Sequence, residues 1–474
     1  MNKEFAYIKL ANTLQDAIEK GVYPVKSKMP SVRLLSKNNN LSVSTVLQSF
    51  YELENRGLIY AVEKSGYFVN IPINENFLLK DNAIYKSKIT KINKSNLISS
   101  IFNNRSNKNL YHLSSSVLPL TLTPAKELAN ITKKLCNYHE MEINKYSIPL
   151  GIEELRQEIA KSYLKHNIIV SPDEVIITNG CMEGISLALR SIAKAGDIIA
   201  IESPTYFGFL QLIESLGIYA LEIPTNPNTG IDLEAFKQLA KDFKIKACLV
   251  VPNFNNPLGS LMPEKNKQDF VEICNKYDLK IIESDVYSEL YFENSKPKPL
   301  RYYGDNENTI TCSSLSKTVS AGLRIGWAIN KKYLESMEKL KYSNTLATPT
   351  LTQMIAKEFL KNTGYERYLN NTRKNLKLKM NQLHKLVSQN FSFSDEIKIS
   401  NPKGGFSIWL KLPENIDSFD IYKKALEENI SIVPGIVFSP SERHNNYIRL
   451  SSSFDYENIL EDKIKILAKI IFNN

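Results

Sequence analysis

Five cysteines, five histidines and two tryptophans are few for 474 residues, and their placement excludes more than their number does. Cys136, Cys181, Cys248, Cys274 and Cys312 form no C-x-x-C pair. His112, His139, His166, His384 and His444 are equally dispersed, so neither a disulfide framework nor a metal site is expected. Apolar runs long enough to span a bilayer are missing. The first residues, Met1-Asn2-Lys3-Glu4-Phe5, carry charge where a signal peptide needs an apolar core. A reduced, cytoplasmic protein with no membrane partner is the expectation. Acid is also the scarcer charge: 50 Asp and Glu stand against 60 Lys and Arg, a formal net charge of +10 that suits an anionic partner. What is present, 43% hydrophobic and 23% charged residues, is the make-up of a globular protein. The length exceeds one ordinary core, so two or three domains are expected.

Residues 1–72 read as three helices and a short hairpin. Tyr7, Leu10, Ala11, Leu14 and Ile18 recur at helical spacing before Gly21. Pro30 and Ser31 open a second helix, and a third begins near Ser42 and runs through Val46, Phe50 and Leu53 to Gly57. Strands at 58–62 and 66–69 flank a Glu-Lys-Ser turn. This is a winged helix-turn-helix pattern, in which the third helix enters a major groove of double-stranded DNA. Met29-Pro30-Ser31-Val32-Arg33, Ser42-x-x-Thr45-Val46, Leu53-Glu54-x-x-Gly57-Leu58 and Ser65-Gly66-Tyr67-Phe68-Val69 resemble the GntR family of bacterial regulators. The resemblance implies DNA contacts at Arg33, Ser42, Ser44, Thr45 and Gly66. One position departs: Val43 stands where that family often has an arginine, so site specificity does not carry over.

Residues 73–110 are rich in Lys, Asn and Ser and nearly free of acid, which predicts a solvated basic connector. Within it, Leu97-Ile98-Ser99-Ser100-Ile101-Phe102 has the apolar content to lie ordered against a neighbour. From residue 111 to 474, strand-like runs at 174–178, 198–201, 247–251, 280–284 and 309–312 alternate with helical stretches. Such alternation predicts an α/β sheet covered on both faces, with ligands at the carboxyl ends of its strands.

Chemistry-bearing residues fall just past those ends. Lys317 in Ser313-Ser314-Leu315-Ser316-Lys317 offers an amine for a Schiff base. Ser314, Ser316 and Arg324 suit a phosphate dianion, as do the backbone N–H groups of Asn179-Gly180-Cys181 at a helix start. Tyr206 offers a ring for stacking, Asn256 and Tyr287 reach for a phenolic oxygen, and Asp285 suits a protonated pyridine nitrogen. Arg449, on Tyr447-Ile448-Arg449-Leu450-Ser451, suits a substrate carboxylate, with Asn256 beside it.

Together with Tyr146-x-x-x-x-Gly151-x-x-x-Leu155-Arg156, Pro402-x-Gly404-Gly405-Phe406 and Pro434-Gly435, these residues resemble the class I aminotransferases of fold type I. The resemblance implies a large sheet with a smaller α+β subdomain, pyridoxal 5'-phosphate as cofactor, and catalytic roles for Lys317, Asp285 and Tyr206. It also implies a homodimer in which Tyr146 reaches the partner's cofactor phosphate. A GntR-like head on an aminotransferase-like body is similar to the MocR family of transcriptional regulators. That family pairs a head-to-tail dimer with repeated DNA half-sites. It senses an amino acid, a related amino compound or the cofactor itself through the aldimine at the lysine matching Lys317. The alternative is a working aminotransferase moving an amino group from an amino acid to a 2-oxo acid, since the half-reaction residues are present.

Overall fold

The computed structural model describes residues 5–62, 65–70, 77–80, 86–103, 107, 109–293, 295–304, 307–392, 394–441 and 443–473. The chain forms two compact units, one of residues 1–77 with His384–Gln389 and one of the remainder from Leu78 onward.

In the first unit, α1 (Ala6–Glu19) buries Leu10, Ala11 and Leu14. Ser31 caps α2 (Val32–Asn39), its Oγ accepting from Leu34 N, and Asn40 in the left-handed region ends that helix. Ser42 caps α3 (Val43–Asn55) in the same way, accepting from Thr45 N at 3.1 Å. Val46, Phe50 and Leu53 project from α3 into the core, where Phe50 meets the edge of Tyr67 at 4.8 Å. The antiparallel hairpin pairs Ile59–Val62 with Gly66–Val69. Gly66 has φ +104°, a conformation open to glycine at little cost. Three helices and a hairpin are thus where the periodicity put them. Glu63 and Lys64 of the expected turn lie outside the described residues.

The second unit is built on a nine-stranded sheet. Its order is Ile89–Lys91, Tyr219–Asn226, Ile198–Ser203, Ile245–Val250, Lys280–Ser284, Thr309–Ser314, Gly326–Ile329 and Val175–Thr178, with Gly230–Ile231 beside Tyr219–Asn226. The five strands from Tyr219–Asn226 to Thr309–Ser314 run parallel. Four of them read as largely apolar runs because both faces are covered, while Tyr219–Asn226 was not read from the sequence; Val175–Thr178 is buried at every position. Gly326–Ile329 runs antiparallel between Thr309–Ser314 and Val175–Thr178, a strand the alternation did not reveal. A second, antiparallel sheet orders Lys398–Ile399, Ser407–Lys411, Tyr447–Ser451 and Val433–Pro434, and sets Arg449 opposite Trp409. Among the described residues no helix is long and apolar enough to cross a membrane.

Much of the stretch expected as a connector lies on this unit. Leu79 N donates to Ile399 O at 2.8 Å in the smaller sheet. Lys86 O accepts from Arg443 Nη2 at 2.9 Å. Ile89–Lys91 forms the edge of the large sheet. The backbone N–H groups of Lys94 and Ser95 donate to Glu214 Oε2 at 2.9 and 3.2 Å, starting the helix Ser95–Phe102.

His444 packs edge-on against Trp409 and Tyr447, with Nε2 at 3.4 Å from Ser203 Oγ. Burial lowers its pKa from 6.5 to about 4, Glu222 opposing the shift and Arg443 adding to it. The unfolded chain therefore binds a proton that the fold refuses between those values. The stability involved is complete above pH 6.5 and is lost as the pH falls towards 4, in all about 3 kcal/mol. His444→Gln is expected to flatten the pH dependence of the urea midpoint in that window. Parallel curves for the two proteins from pH 7 to 4.5 would refute this.

Candidate functional site

The carboxyl ends of the parallel strands meet a cavity of about 250 Å³. One end of it is made by the turn after Val175–Thr178. Gly180 there has φ +83°, and a Cβ on it would lie 2.5 Å from Arg324 Nη2. Arg324 Nη2 donates to Asn179 O at 2.9 Å, holding the guanidinium over the start of the helix Cys181–Ile192. A Cβ on Gly326 would lie 2.4 Å from Gly180 C, so two glycines let strand, helix start and guanidinium converge. Helix N–H groups and a cation so arranged suit an anion. Ser314 and Ser316 line the same cavity, and Ser316 Oγ is buried without a hydrogen-bond partner. Burial pushes the Cys181 thiol up to about 12, so this residue stays neutral.

Asp285 lies just past Lys280–Ser284, between the cavity-lining Ser284 and Val286. Its Oδ1 accepts from Asn253 Nδ2 at 3.0 Å and its Oδ2 from Ser288 Oγ at 2.9 Å. Behind Asn253, Lys267 Nζ donates to Asn253 Oδ1 at 2.6 Å and to Lys298 O at 2.8 Å. Burial raises the Asp285 pKa, while Lys296, Asn253, Ser288 and Lys267 each pull it back. Burial lowers the Lys267 pKa to about 8, against the pull of Glu283 and Asp285.

Tyr206, Asn256, Tyr287 and Lys317 also line the cavity. Tyr206 meets Phe209 edge-on at 5.3 Å. Burial raises the Tyr287 pKa, and the neighbouring Asn256 and Arg449 oppose the rise. Asn256 Nδ2 is buried and reaches no acceptor in hydrogen-bonding geometry, close as the Tyr287 hydroxyl is. Lys317 Nζ donates to Ser116 O at 2.6 Å and lies 5.8 Å from the Tyr287 ring centroid. A second cavity of about 440 Å³ shares Val117, Tyr206, Asn256 and Lys317 with the first. Arg449 lines it, 1% exposed, donating to Ser116 Oγ at 2.7 Å, to Asn256 Oδ1 at 3.1 Å and to Ser114 O. The lysine amine is therefore at the junction of a cavity ended by an anion site and one holding a buried guanidinium.

The fold brings together Asn179, Gly180, Cys181, Tyr206, Asn256, Asp285, Tyr287, Ser314, Ser316, Lys317, Arg324 and Arg449. Tyr146 is not among them: it is 86% exposed and lines neither cavity. In the first unit Arg33, Ser42, Ser44 and Gly66 are exposed. The Ser42 hydroxyl lies within 2.7 and 2.8 Å of those of Ser44 and Thr45, and Val43 is 47% exposed. Sequence reasoning missed Asn253, Lys267, Ser288 and the Ser114–Ser116 segment. Asn253 lay inside the Pro252–Gly259 motif and could have been found there. The serine run carried no signal, because such runs ordinarily read as loop. Among the described residues no group of His, Cys, Asp or Glu could hold a metal ion.

Residues 108–460 match the family of class I and II aminotransferases. Over 466 residues the chain is 31% identical to YjiR, an HTH-type transcriptional regulator of Escherichia coli, covering 98% of each. It is 28% identical over 449 residues to the HTH-type transcriptional regulator NorG of Staphylococcus aureus, covering 94% of this chain and 99% of that one. Similar solved structures include LysN, an α-aminoadipate aminotransferase of Thermus thermophilus complexed with N-(5'-phosphopyridoxyl)-L-leucine. It has a TM-score of 0.74 and 26% identity, covering 81% of this chain and 96% of its own. An archaeal alanine:glyoxylate aminotransferase has a TM-score of 0.75 and 28% identity, covering 80% and 95%.

The close approach at Gly326 is testable without a ligand. Gly326→Ala forces a methyl group into the Gly180–Cys181 peptide and is expected to cost about 1–3 kcal/mol. Amide exchange in the first turn of Cys181–Ile192 should accelerate accordingly. Gly184→Ala in the same helix, where the nearest atom lies at 3.5 Å, should leave exchange unchanged. Equal effects from both variants would show that the contact is not tight.

Proposed function

The chain belongs to the MocR type of HTH-type transcriptional regulator, with a body of the class I and II aminotransferase family, and from that premise we propose that it binds pyridoxal 5'-phosphate at Lys317 and couples an amino compound to DNA binding. The observation that carries this reading is the position of Lys317 between the two cavities. The residues present suit the cofactor. Arg324, the helix start at Gly180-Cys181 and the unpartnered Ser316 hydroxyl suit a phosphate dianion. The buried Asn256 amide, with no acceptor of its own, suits a phenolic oxygen. Asp285, held on both oxygens, suits a ring nitrogen, and Tyr206 offers its ring for stacking.

When bound, the cofactor supplies an aldehyde that captures amines and a pyridine ring that accepts electrons. The protein's own groups set what happens around it. Lys317 contributes the resident amine and, when an effector amine takes its place, can carry a proton at Nζ. Arg449 presents a desolvated guanidinium to a carboxylate, beside Asn256. Asp285, whose pKa burial raises and Lys296, Asn253, Ser288 and Lys267 pull back, suits the ring nitrogen as its partner.

In this reading residues 1–72 are the DNA-reading head, 73–110 the connector and 111–474 the sensing body, in the cytoplasm. Arg33, Ser42, Ser44, Thr45 and Gly66 meet double-stranded DNA, and a head-to-tail homodimer engages repeated half-sites. The exposure of Tyr146 supports its service to a partner subunit's site. Turnover as an aminotransferase is a second reading, favoured by the presence of both Lys317 and Arg449.

Visible absorption of the cofactor-loaded protein tests both readings. An amino acid that shifts the band and leaves it there, while changing operator affinity, supports a sensor. Bleaching that a 2-oxo acid reverses supports turnover. Lys317→Ala is expected to abolish the band and the DNA response together, and a DNA response intact in that variant would refute the proposal. Arg449→Ala should keep the band and weaken the amino-acid response at least about tenfold. Arg33→Ala should weaken operator binding and reduce its salt slope by about 1.

A further inference from the structure

We propose that the effector is an amino acid with a single carboxylate and a bulky apolar or aromatic side chain, and that Asp455 turns away amino acids carrying a second carboxylate. This rests on the reading of Lys317 and Arg449 above. The cavity of about 440 Å³ that holds Arg449 is the space left for the effector's side chain. Among its described lining residues the fully charged side chains are Lys317, Arg449 and Asp455. Lys317 belongs to the cofactor aldehyde and Arg449 answers the effector's carboxylate, so the remaining charge facing the side chain is negative.

Asp455 is fixed in place. Its Oδ1 accepts from Thr121 N and from Thr121 Oγ1, both at 3.1 Å. His112 also lines the cavity. Its Nε2 lies 3.2 Å from Asn107 O, so a proton on that nitrogen is directed at the backbone. A second carboxylate would thus find no further lysine or arginine in the lining and meet Asp455. Repulsion of this kind selects as firmly as attraction does.

The rest of the wall rewards apolar bulk. Tyr111, Leu120, Phe454 and Tyr456 line the cavity, and the Tyr111 hydroxyl donates to Tyr456 O at 2.8 Å, which leaves its ring to face the ligand space. Phe454 is buried and contacts the Lys379 ammonium, 4.7 Å from its ring. A pocket of this lining discriminates chain length at about tenfold or more per methylene.

The test is a titration of the cofactor-loaded full chain with leucine, phenylalanine, alanine, aspartate and glutamate, reading the visible band. Wild type is expected to respond to leucine or phenylalanine at concentrations at least about tenfold below those needed for alanine, aspartate or glutamate. Asp455→Lys should improve the response to glutamate while leaving that to leucine within about threefold, since a rim charge acts on charged ligands. Asp455→Asn keeps an acceptor for Thr121 and should narrow the glutamate gap part of the way. A glutamate or aspartate response equal to that of leucine, or a glutamate gap unmoved in both variants, overturns the proposal. A band that no amino compound moves overturns the sensor reading beneath it as well. The two failures are therefore distinguishable.

Discussion

A carboxyl group buried at the end of a parallel strand is the demand around which this body is arranged. Asp285 has lost its water, and a buried carboxylate without compensation takes up a proton. The compensation comes from several layers at once. Asn253 and Ser288 occupy its oxygens, Lys267 backs Asn253, and Lys296 adds positive charge while pairing with Glu289 at 2.6 Å. Lys267, 1% exposed on the helix Glu264–Lys276, would be hard to understand without it. Glu283, on the strand that leads to Asp285, is likewise pushed up, by burial first and by Asp285 second.

The same economy of charge governs the ligand side. Arg449 and Lys317 are both hydrogen-bonded to one short segment: Ser116 offers its hydroxyl to the guanidinium and its carbonyl to the amine. Both groups are thereby anchored to the same residue beside the cavity. The anion end is different, since Arg324 is exposed and tied by a carbonyl at Asn179 O. A dianion can be taken up there without first unpacking a core.

Much of the fold was legible because its signals are local. Periodic apolar residues marked α1 to α3, and Ser31 and Ser42 announced their helices by capping chemistry. Four of the five parallel strands stood out as apolar runs because burial on two faces leaves little polar alternation, whereas Tyr219–Asn226, interrupted by Glu222 and Pro224, was missed. Gly326–Ile329 was missed: four residues long and directly after the lysine loop, it is defined by pairing partners distant in sequence. Of the site, residues that must be one type were readable, such as a lysine for an imine and an arginine for a carboxylate. Residues that act by position were not. Ser116 matters through where its backbone lies, and Lys267 through what it touches, and neither fact is written in residue type. Tyr146 marks a further limit, since one chain gives it nothing to touch in either cavity.

The connector is moored to both sheets of the body. Leu79 is hydrogen-bonded to Ile399 of the smaller sheet, and Ile89–Lys91 is laced along the edge of the larger one. Lys86, between them, is held by Arg443, whose Nε also grips Glu222 Oε2 at 3.1 Å. A turn of one sheet against the other must therefore displace Leu79 relative to Ile89–Lys91. Such a tether behaves as a tendon: it reports relative rotation inside the body as tension, whatever molecule caused the rotation.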